Sequence, residues 1–184
     1  EEAFARRFTQ RPGASALTDL GQLSRDDIET AGLRIVETSG PVEIVPGLYL
    51  SGAIGRTTSY EHVPPGMRIM RNGEIVPDDF RGEQALIVNL KGKGLVIVSG
   101  CAHAGIVNTV LHARAASGVK KVHAILGGFH LANALPDVIG STMDDIRTLN
   151  PDHIVPAHCT GFEATVAFSH EMPDAFILNS AGTR

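Results

Sequence analysis

The 184-residue sequence contains no tryptophan, two tyrosines and two cysteines, Cys101 and Cys159. Two cysteines form at most one disulfide, and a chain that is 43% hydrophobic does not need one to fold. A reducing cytoplasm is therefore the expected compartment. The longest apolar runs, such as residues 95–98, are far too short to cross a bilayer, so we expect no membrane partner.

Several signatures of common functions are also missing. The sequence has 16 basic and 20 acidic residues and no window dense in Lys or Arg, so nucleic acid is not an expected partner. It has no Walker loop, no G-x-G-x-x-G, no G-x-S-x-G and no Cys-x-x-Cys, which removes support for P-loop, hydride-transfer and serine-hydrolase chemistry. A small-molecule substrate is the expected partner, and a homo-oligomer stays open.

Strand-type and helix-type patterns are both present, which predicts a mixed α/β (α+β) protein built in layers. Asn72-Gly73 stands between two short apolar runs and predicts a two-residue hairpin. Apolar residues at helical spacing predict a helix over 105–117, and Ser141 is the predicted N-cap of a later helix.

The predicted organisation is a single domain over residues 1–184. Residues 1–46 are expected to be a peripheral, mostly helical segment. Residues 47–184 are expected to carry the sheet and a set of corners that follow its strands.

Three of the eight histidines follow an apolar strand within a corner that contains glycine or proline. They are His103, His130 and His158. Side chains at the carboxyl ends of strands converge in layered α/β proteins, and imidazole and thiolate ligands suit Zn²⁺ or Fe²⁺. The pattern predicts a metal site to which His103 and His158 are the strongest contributors, followed by His130.

The cysteines in these corners allow more than one interpretation. Cys101 either binds metal as a thiolate or fills a small buried site, and Cys159 is at least as well explained as a structural residue. A disulfide between Cys101 and Cys159 is a further alternative. The remaining histidines have ordinary structural explanations; they are His62, His112, His123, His153 and His170.

Acidic residues supply a second kind of candidate. Asp78 and Asp79 are adjacent in a segment after the predicted hairpin, and Glu61 precedes His62. Neighbouring acids in loops are usually solvated, but carboxylates also serve as general acids and bases, and Asp79 is kept as a candidate catalytic residue.

The three histidine corners, over residues 94–110, 127–131 and 156–161, resemble a metallo-β-lactamase-fold group that contains a pterin-pathway synthase and many bacterial metallohydrolases. The resemblance extends to residues 47–54, 58–61, 77–79 and 85–88, and so covers nearly the whole chain. It implies an αββα sandwich with one or two divalent metals, usually Zn²⁺ with Fe²⁺ or Mn²⁺ as alternatives. It also implies a metal-bound hydroxide as the nucleophile.

The resemblance also implies roles for individual residues. His158 resembles the last histidine ligand of the superfamily. Cys101 or His103 occupies the neighbourhood where many relatives place a bridging aspartate, and His103 is favoured because imidazole is the commoner ligand. His130 is expected to line the pocket as a ligand, an acid/base group or a phosphate contact. The predicted metal set is thus His103, His158 and Cys101, with His130 and Asp79 as catalytic candidates.

One feature of the family is missing: the chain contains no His-x-His-x-Asp-His motif, which builds the first metal site in relatives. We therefore expect an incomplete sandwich and part of a metal shell. Three explanations compete. The chain is a piece of a longer gene product, which is favoured because it begins with Glu1 instead of Met; a second chain supplies the missing half; or the protein is a truncated relative that has lost the chemistry.

The leading functional hypothesis is a metal-dependent hydrolase or pterin-pathway synthase that acts on a small, phosphate-bearing substrate. The alternative is a noncatalytic binding or scaffold remnant of the fold that lacks a full metal site.

Overall fold

The structure is a computed structural model that describes residues 2–11 and 13–182. Its chain contacts define two compact units. The first unit comprises residues 1–39 and 63–82, and the second comprises residues 40–62 and 83–184. The single domain over 1–184 stays a prediction.

Over the described residues, ten strands and four α-helices are assigned. The strands are β1 (Arg7–Thr9), β2 (Thr18–Gly21), β3 (Val42–Val45), β4 (Leu48–Leu50), β5 (Met67–Arg71), β6 (Glu74–Pro77), β7 (Ala85–Leu90), β8 (Gly94–Ser99), β9 (Val122–Gly128) and β10 (His153–Ala157). The helices are α1 (Arg25–Thr30), α2 (Ile106–Ser117), α3 (Pro136–Leu149) and α4 (Phe162–Glu171), with short 3₁₀ turns at Glu2–Phe4 and His158–Thr160. In the part of the chain that the structure describes, no helix is both long and apolar enough to cross a membrane.

The first unit is built on an antiparallel sheet in the order β2-β1-β5-β6. Asn72 and Gly73 join β5 to β6 with φ angles of 51° and 84°, so the predicted hairpin is confirmed. The expectation of a mostly helical segment over 1–46 is wrong. Strand β1 pairs with β2 on one side and with β5 on the other, and this pairing with a distant strand outweighs the weak local helical pattern.

The second unit is built on a six-stranded mixed sheet in the order β10-β9-β8-β7-β4-β3. Strands β8, β9 and β10 run parallel, whereas β8, β7, β4 and β3 pair antiparallel. Helix α2 begins where it was predicted to begin. Helix α3 begins at Pro136 and not after Ser141. Proline is favoured in the first helical turn because a backbone N–H at that position would have no intrahelical partner, so its absence costs nothing.

The core of the second unit lies between the sheet and its helices. Ile87, Ile97, Ile125 and Ile154 are register partners across four strands and are fully buried. The core also includes residues of α2, α3 and α4, among them Phe168. The helices therefore cover the face of the sheet to which these isoleucines point.

The residues next to these isoleucines point to the other face of the sheet. Leu86, Val98, Leu126 and Val155 form a second row of register partners across the same strands. Leu86 and Val98 are exposed, at 42% and 39%. A sheet that is apolar on both faces is typical of a strand layer with another layer on each side, as in a layered sandwich.

Candidate metal centre

The three histidine corners follow three neighbouring parallel strands. Strands β8, β9 and β10 end at Ser99, Gly128 and Ala157. Because parallel strands place their carboxyl ends at the same edge of a sheet, the corners converge there. The convergence that the sequence predicted for this edge is present.

Hydrogen bonds tie the three corners to one another. The Ser99 hydroxyl donates to the Gly128 carbonyl at 2.9 Å, and the Gly128 N–H donates to the Gly100 carbonyl at 2.9 Å. The Phe129 N–H donates to Thr160 Oγ1 at 3.1 Å. These hydrogen bonds fix the three corners relative to one another, and so fix the backbone positions from which their side chains extend.

Gly128 makes close approach possible at this edge. A Cβ atom at this position would lie 2.6 Å from Cys159 Sγ and 3.1 Å from Cys101 Cα. Any larger residue would have to displace the backbone or the sulfur, so glycine allows β9 to pass beside both cysteines.

Two sulfur atoms and one imidazole lie together at the centre of this edge. The ligand atoms of Cys101, His158 and Cys159 all lie within 4.8 Å of one another, and we call this group the thiol–imidazole triad. His158 Nδ1 is 3.4 Å from Cys101 Sγ, and Cys159 Sγ lies 3.3 Å from the Cys101 carbonyl oxygen. Within residues 2–11 and 13–182 it is the one group of three or more His, Cys, Asp or Glu side chains that converges so closely.

The donor atoms of the triad fit a thiophilic divalent cation. Sulfur and imidazole nitrogen are ligands that suit Zn²⁺ and Fe²⁺, whereas Mg²⁺ and Ca²⁺ prefer oxygen. Both cysteines are free thiols, so the alternative disulfide is not formed in this structure. Burial, followed by the neighbouring Cys159, raises the pKa of Cys101 to about 12, so the thiol is neutral when no cation is close.

His103 is held by a carboxylate that the sequence did not single out. Its Nδ1 atom is 2.7 Å from Glu83 Oε1, and the same carboxylate accepts the backbone N–H groups of His103 at 2.8 Å and Ala104 at 2.6 Å. Burial alone would raise the pKa of Glu83, but these hydrogen bonds lower it below its usual range. A carboxylate on one imidazole nitrogen fixes the orientation of the ring, an arrangement that is common around metal-binding histidines.

The structure thus separates the predicted metal ligands. Cys101 and His158 belong to the triad, and Cys159, which the sequence explained at least as well as a structural residue, joins them. His103 lies outside the triad and pairs with Glu83. Its role as a ligand stays a prediction.

His130 packs against His103, with ring centroids 4.5 Å apart and ring planes inclined by 54°. Its Nδ1 atom is buried and has no hydrogen-bond partner among the residues that the structure describes. Burial, followed by the neighbouring His103, lowers the pKa of His130, which favours the neutral ring. A buried, unpaired nitrogen is costly unless something else, such as a ligand, bonds to it.

Among the described residues, three of the seven non-glycine residues with a positive φ lie in these corners. Ala102, His130 and His158 have φ angles of 55°, 49° and 50°, in the left-handed region that non-glycine residues rarely adopt. Each such residue costs on the order of 1 kcal/mol, and such residues cluster at functional sites. The strain therefore marks the same edge of the sheet as the triad does.

Comparison with known proteins agrees with this geometry. A solved structure of a metal-dependent hydrolase of the β-lactamase superfamily matches 100% of this chain with a TM-score of 0.82 and 27% sequence identity, and the match covers 67% of that structure. This chain has the metallo-β-lactamase fold. The fold predicted from the three corners is thereby confirmed.

Two relatives from Methanocaldococcus jannaschii also match this metallo-β-lactamase-fold chain. One is 7,8-dihydropterin-6-methyl-4-(β-D-ribofuranosyl)-aminobenzene-5′-phosphate synthase, 35% identical over 182 residues. That alignment covers 97% of the chain and 62% of the synthase. The other is an uncharacterized protein, 30% identical over 142 residues, which are 77% of the chain and 50% of that relative. No family model matches the sequence.

Asp79, the acidic candidate, lies in the first unit of the metallo-β-lactamase-fold chain. Its carboxylate pairs with the guanidinium groups of Arg71 and Arg81. Its neighbour Asp78 is fully buried and accepts from Arg7 Nε at 2.8 Å. Nothing in these contacts links Asp79 to a substrate, and its catalytic role stays a prediction.

Glu61 has a structural role in the second unit. Its carboxylate accepts the N–H groups of Val107 and Asn108 at 2.9 Å each, and so caps the N-terminus of α2. Burial raises the pKa of Glu61. Because Glu83 occupies the N–H groups just ahead of this helix, both sets of donors are bonded to carboxylates, and this corner does not offer them to a substrate phosphate.

Proposed function

We propose that this chain is a metal-dependent enzyme of the metallo-β-lactamase fold, either a hydrolase or a pterin-pathway synthase. The observation that carries the proposal is the convergence of the thiol–imidazole triad with His103 and His130 at one edge of the sheet. Structural histidines in ordinary positions do not collect in strained, mutually hydrogen-bonded corners with an unpaired nitrogen.

In this proposal, Cys101, His103 and His158 hold the metal. A bound divalent ion lowers the pKa of a coordinated water toward neutrality and so supplies a hydroxide nucleophile. Glu83 holds His103 in one orientation through its 2.7 Å contact with Nδ1.

His130 serves the substrate in the same proposal. A neutral imidazole has one nitrogen that accepts a hydrogen bond or a proton, and we assign this role to Nδ1, which is buried without a partner among the described residues. Packing against His103 fixes the ring beside the proposed metal ligands, so the group that accepts the proton stays close to the reacting atoms.

The substrate we propose is a small molecule that carries a phosphate, such as a pterin derivative. The support is the relative at 35% identity, whose name describes a product with a dihydropterin and a 5′-phosphate. Because Glu61 and Glu83 take the N–H groups at the start of α2, phosphate recognition in this proposal uses other groups of the site.

Metal analysis of the purified chain tests this function. We expect at least one equivalent of Zn, Fe or Mn per chain. We expect His158→Ala to weaken metal binding by more than roughly 100-fold, beyond the loss seen when a supporting residue is removed. His170→Ala is the matched control, because His170 is an exposed histidine near the end of α4.

Two results would contradict the proposal. One is a wild-type chain with less than one metal equivalent, and the other is a His158→Ala variant that retains metal as the wild type does. Either result leaves the noncatalytic binding or scaffold protein as the better explanation.

A further inference from the structure

We propose that Cys159 is a metal ligand together with Cys101 and His158, so that the centre contains two thiolates beside its imidazole ligands. Such a site selects Zn²⁺ or Fe²⁺ over Mg²⁺ and Mn²⁺, because thiolates bind thiophilic cations and hard cations prefer oxygen. The inference rests on the proposed function in one respect only, namely that a metal binds at this edge of the sheet.

The distances within the triad are close to those of a tetrahedral metal site. With Zn–S of roughly 2.3 Å and Zn–N of roughly 2.0 Å, a sulfur and a nitrogen ligand lie roughly 3.5 Å apart, and two sulfurs lie roughly 3.8 Å apart. His158 Nδ1 and Cys101 Sγ are 3.4 Å apart, and all three ligand atoms fall within 4.8 Å. Small side-chain movements therefore suffice to close the three atoms around one ion.

The local backbone explains how two consecutive residues reach one point. Side chains of neighbouring residues in a strand point to opposite faces. His158 and Cys159 instead lie in the 3₁₀ turn His158–Thr160, where His158 adopts a φ of 50°. Because Thr160 Oγ1 donates to the Ala157 carbonyl at 2.8 Å and accepts the Phe129 N–H, the turn is fastened at its end.

The space beside Cys159 Sγ depends on the glycine at position 128. Gly128 leaves the space next to Cys159 Sγ, where a Cβ would come within 2.6 Å. The Cys159 thiol makes a weak S–H bond to the Cys101 carbonyl at 3.3 Å, and a thiol is a poor donor. Each thiol releases its proton to solvent on binding the ion, so two thiolates balance the charge of a divalent cation.

Cobalt substitution tests the thiolate ligands directly. We expect the reduced, full chain loaded with Co²⁺ to develop the near-ultraviolet thiolate-to-cobalt charge-transfer band. Because the intensity of the band follows the number of thiolates, Cys159→Ser and Cys101→Ser should each reduce it by about half, and the double variant should lose it. His170→Ala serves as the control that keeps the full band.

Alkylation of the wild-type chain gives a second measurement that does not depend on the folding of a variant. We expect Zn²⁺ to protect both cysteines from iodoacetamide, as read by mass spectrometry, and Mg²⁺ to protect neither. A chain purified without reductant that yields no alkylated cysteine until it is reduced contains a Cys101–Cys159 disulfide, and this result overturns the inference.

Three further outcomes would overturn it: cobalt that binds without the band, a band that Cys159→Ser leaves unchanged, or no cobalt binding to a chain whose circular dichroism is that of a folded protein. A band that Cys159→Ser leaves unchanged keeps the proposed function intact, because Cys101 is then the thiolate that holds the metal with His103 and His158. A full band without catalytic turnover has the opposite meaning: the thiolate centre stands and the enzyme proposal fails.

Discussion

In the first unit, the carboxylates of Asp78, Asp79 and Glu2 all face arginine side chains. Arg7 bonds Asp78, and Arg71 bonds both Glu2 and Asp79. We call these five residues the arginine–carboxylate cluster. Opposite charges pair throughout it, and it holds β1, β5 and the segment after β6 together.

The strand-end corners of the second unit have a different character. His130 Nδ1 is buried without a partner in the described part of the chain, and the backbone at three corner residues is strained. A region whose polar groups satisfy one another serves stability, whereas a region that keeps an unpaired buried polar atom and strained backbone is prepared for a ligand. The comparison predicts that mutations in the two regions separate stability from metal binding.

The largest effect is expected from Asp78→Asn in the arginine–carboxylate cluster. The substitution removes the negative charge that faces Arg7 and should lower the free energy of unfolding by about 2 to 3 kcal/mol, less than for a fully buried pair because the Arg7 side chain is 25% exposed. Urea denaturation measures the change, and the metal content should equal that of the wild type.

Asp19→Asn is the matched control, because Asp19 forms an exposed pair with Arg6 in the same unit. Its denaturation midpoint should stay near that of the wild type, since exposed pairs contribute little. Loss of metal in Asp78→Asn without loss of stability would contradict the division between the two regions.

The next effect is expected from Glu83→Gln. The amide keeps one acceptor oxygen but loses the charge that faces His103 Nδ1, so we expect metal binding to weaken by roughly 10- to 100-fold, as when supporting carboxylates are removed from other metal sites. Competition with a coloured chelator measures the dissociation constant.

Glu61→Gln is the matched control for Glu83→Gln, since both carboxylates accept backbone N–H groups at the start of α2 but Glu61 bonds Val107 and Asn108. It should lower the denaturation midpoint and leave the dissociation constant unchanged. Equal weakening of metal binding in both variants would show that His103 is not a ligand that Glu83 orients.

The smallest effect is expected from Gly128→Ala. The new methyl group would overlap Cys159 Sγ, so the turn must shift at a cost of about 1 to 2 kcal/mol in unfolding free energy, with a loss of metal affinity. Thermal denaturation with and without Zn²⁺ measures both. Gly100→Ala is the control, because a Cβ there meets nothing within 4 Å. If Zn²⁺ raises the melting temperature of Gly128→Ala as much as that of the wild type, then this glycine does not provide the space for the metal site.

Much of the fold was predictable because its signals are local. The Asn72-Gly73 hairpin and the start of α2 follow from residues adjacent in sequence. The helical prediction for residues 1–46 failed because β1 draws its conformation from pairing with β5, which lies far along the chain. Local patterns do not report such distant pairing.

The candidate site divides in the same way. His103, His130 and His158 were predicted because each follows a strand in a corner with its own glycine or proline. Glu83 gave no signal, since a glutamate just ahead of β7 looks like any surface acid until His103 is placed beside it. The role of Cys159 could not be predicted, because the sequence does not show that it lies in a 3₁₀ turn, and the turn decides the direction of its side chain.

The sequence alone determined which chemical groups this protein carries: three imidazoles and two thiols in corners that follow apolar strands, in a chain without P-loop, dinucleotide-binding or serine-hydrolase motifs. The tertiary structure decided which of those groups meet. Parallel pairing of β8, β9 and β10 brings residues 57 positions apart, Cys101 and His158, to within 3.4 Å, and the choice of neighbouring strand depends on packing of the whole sheet.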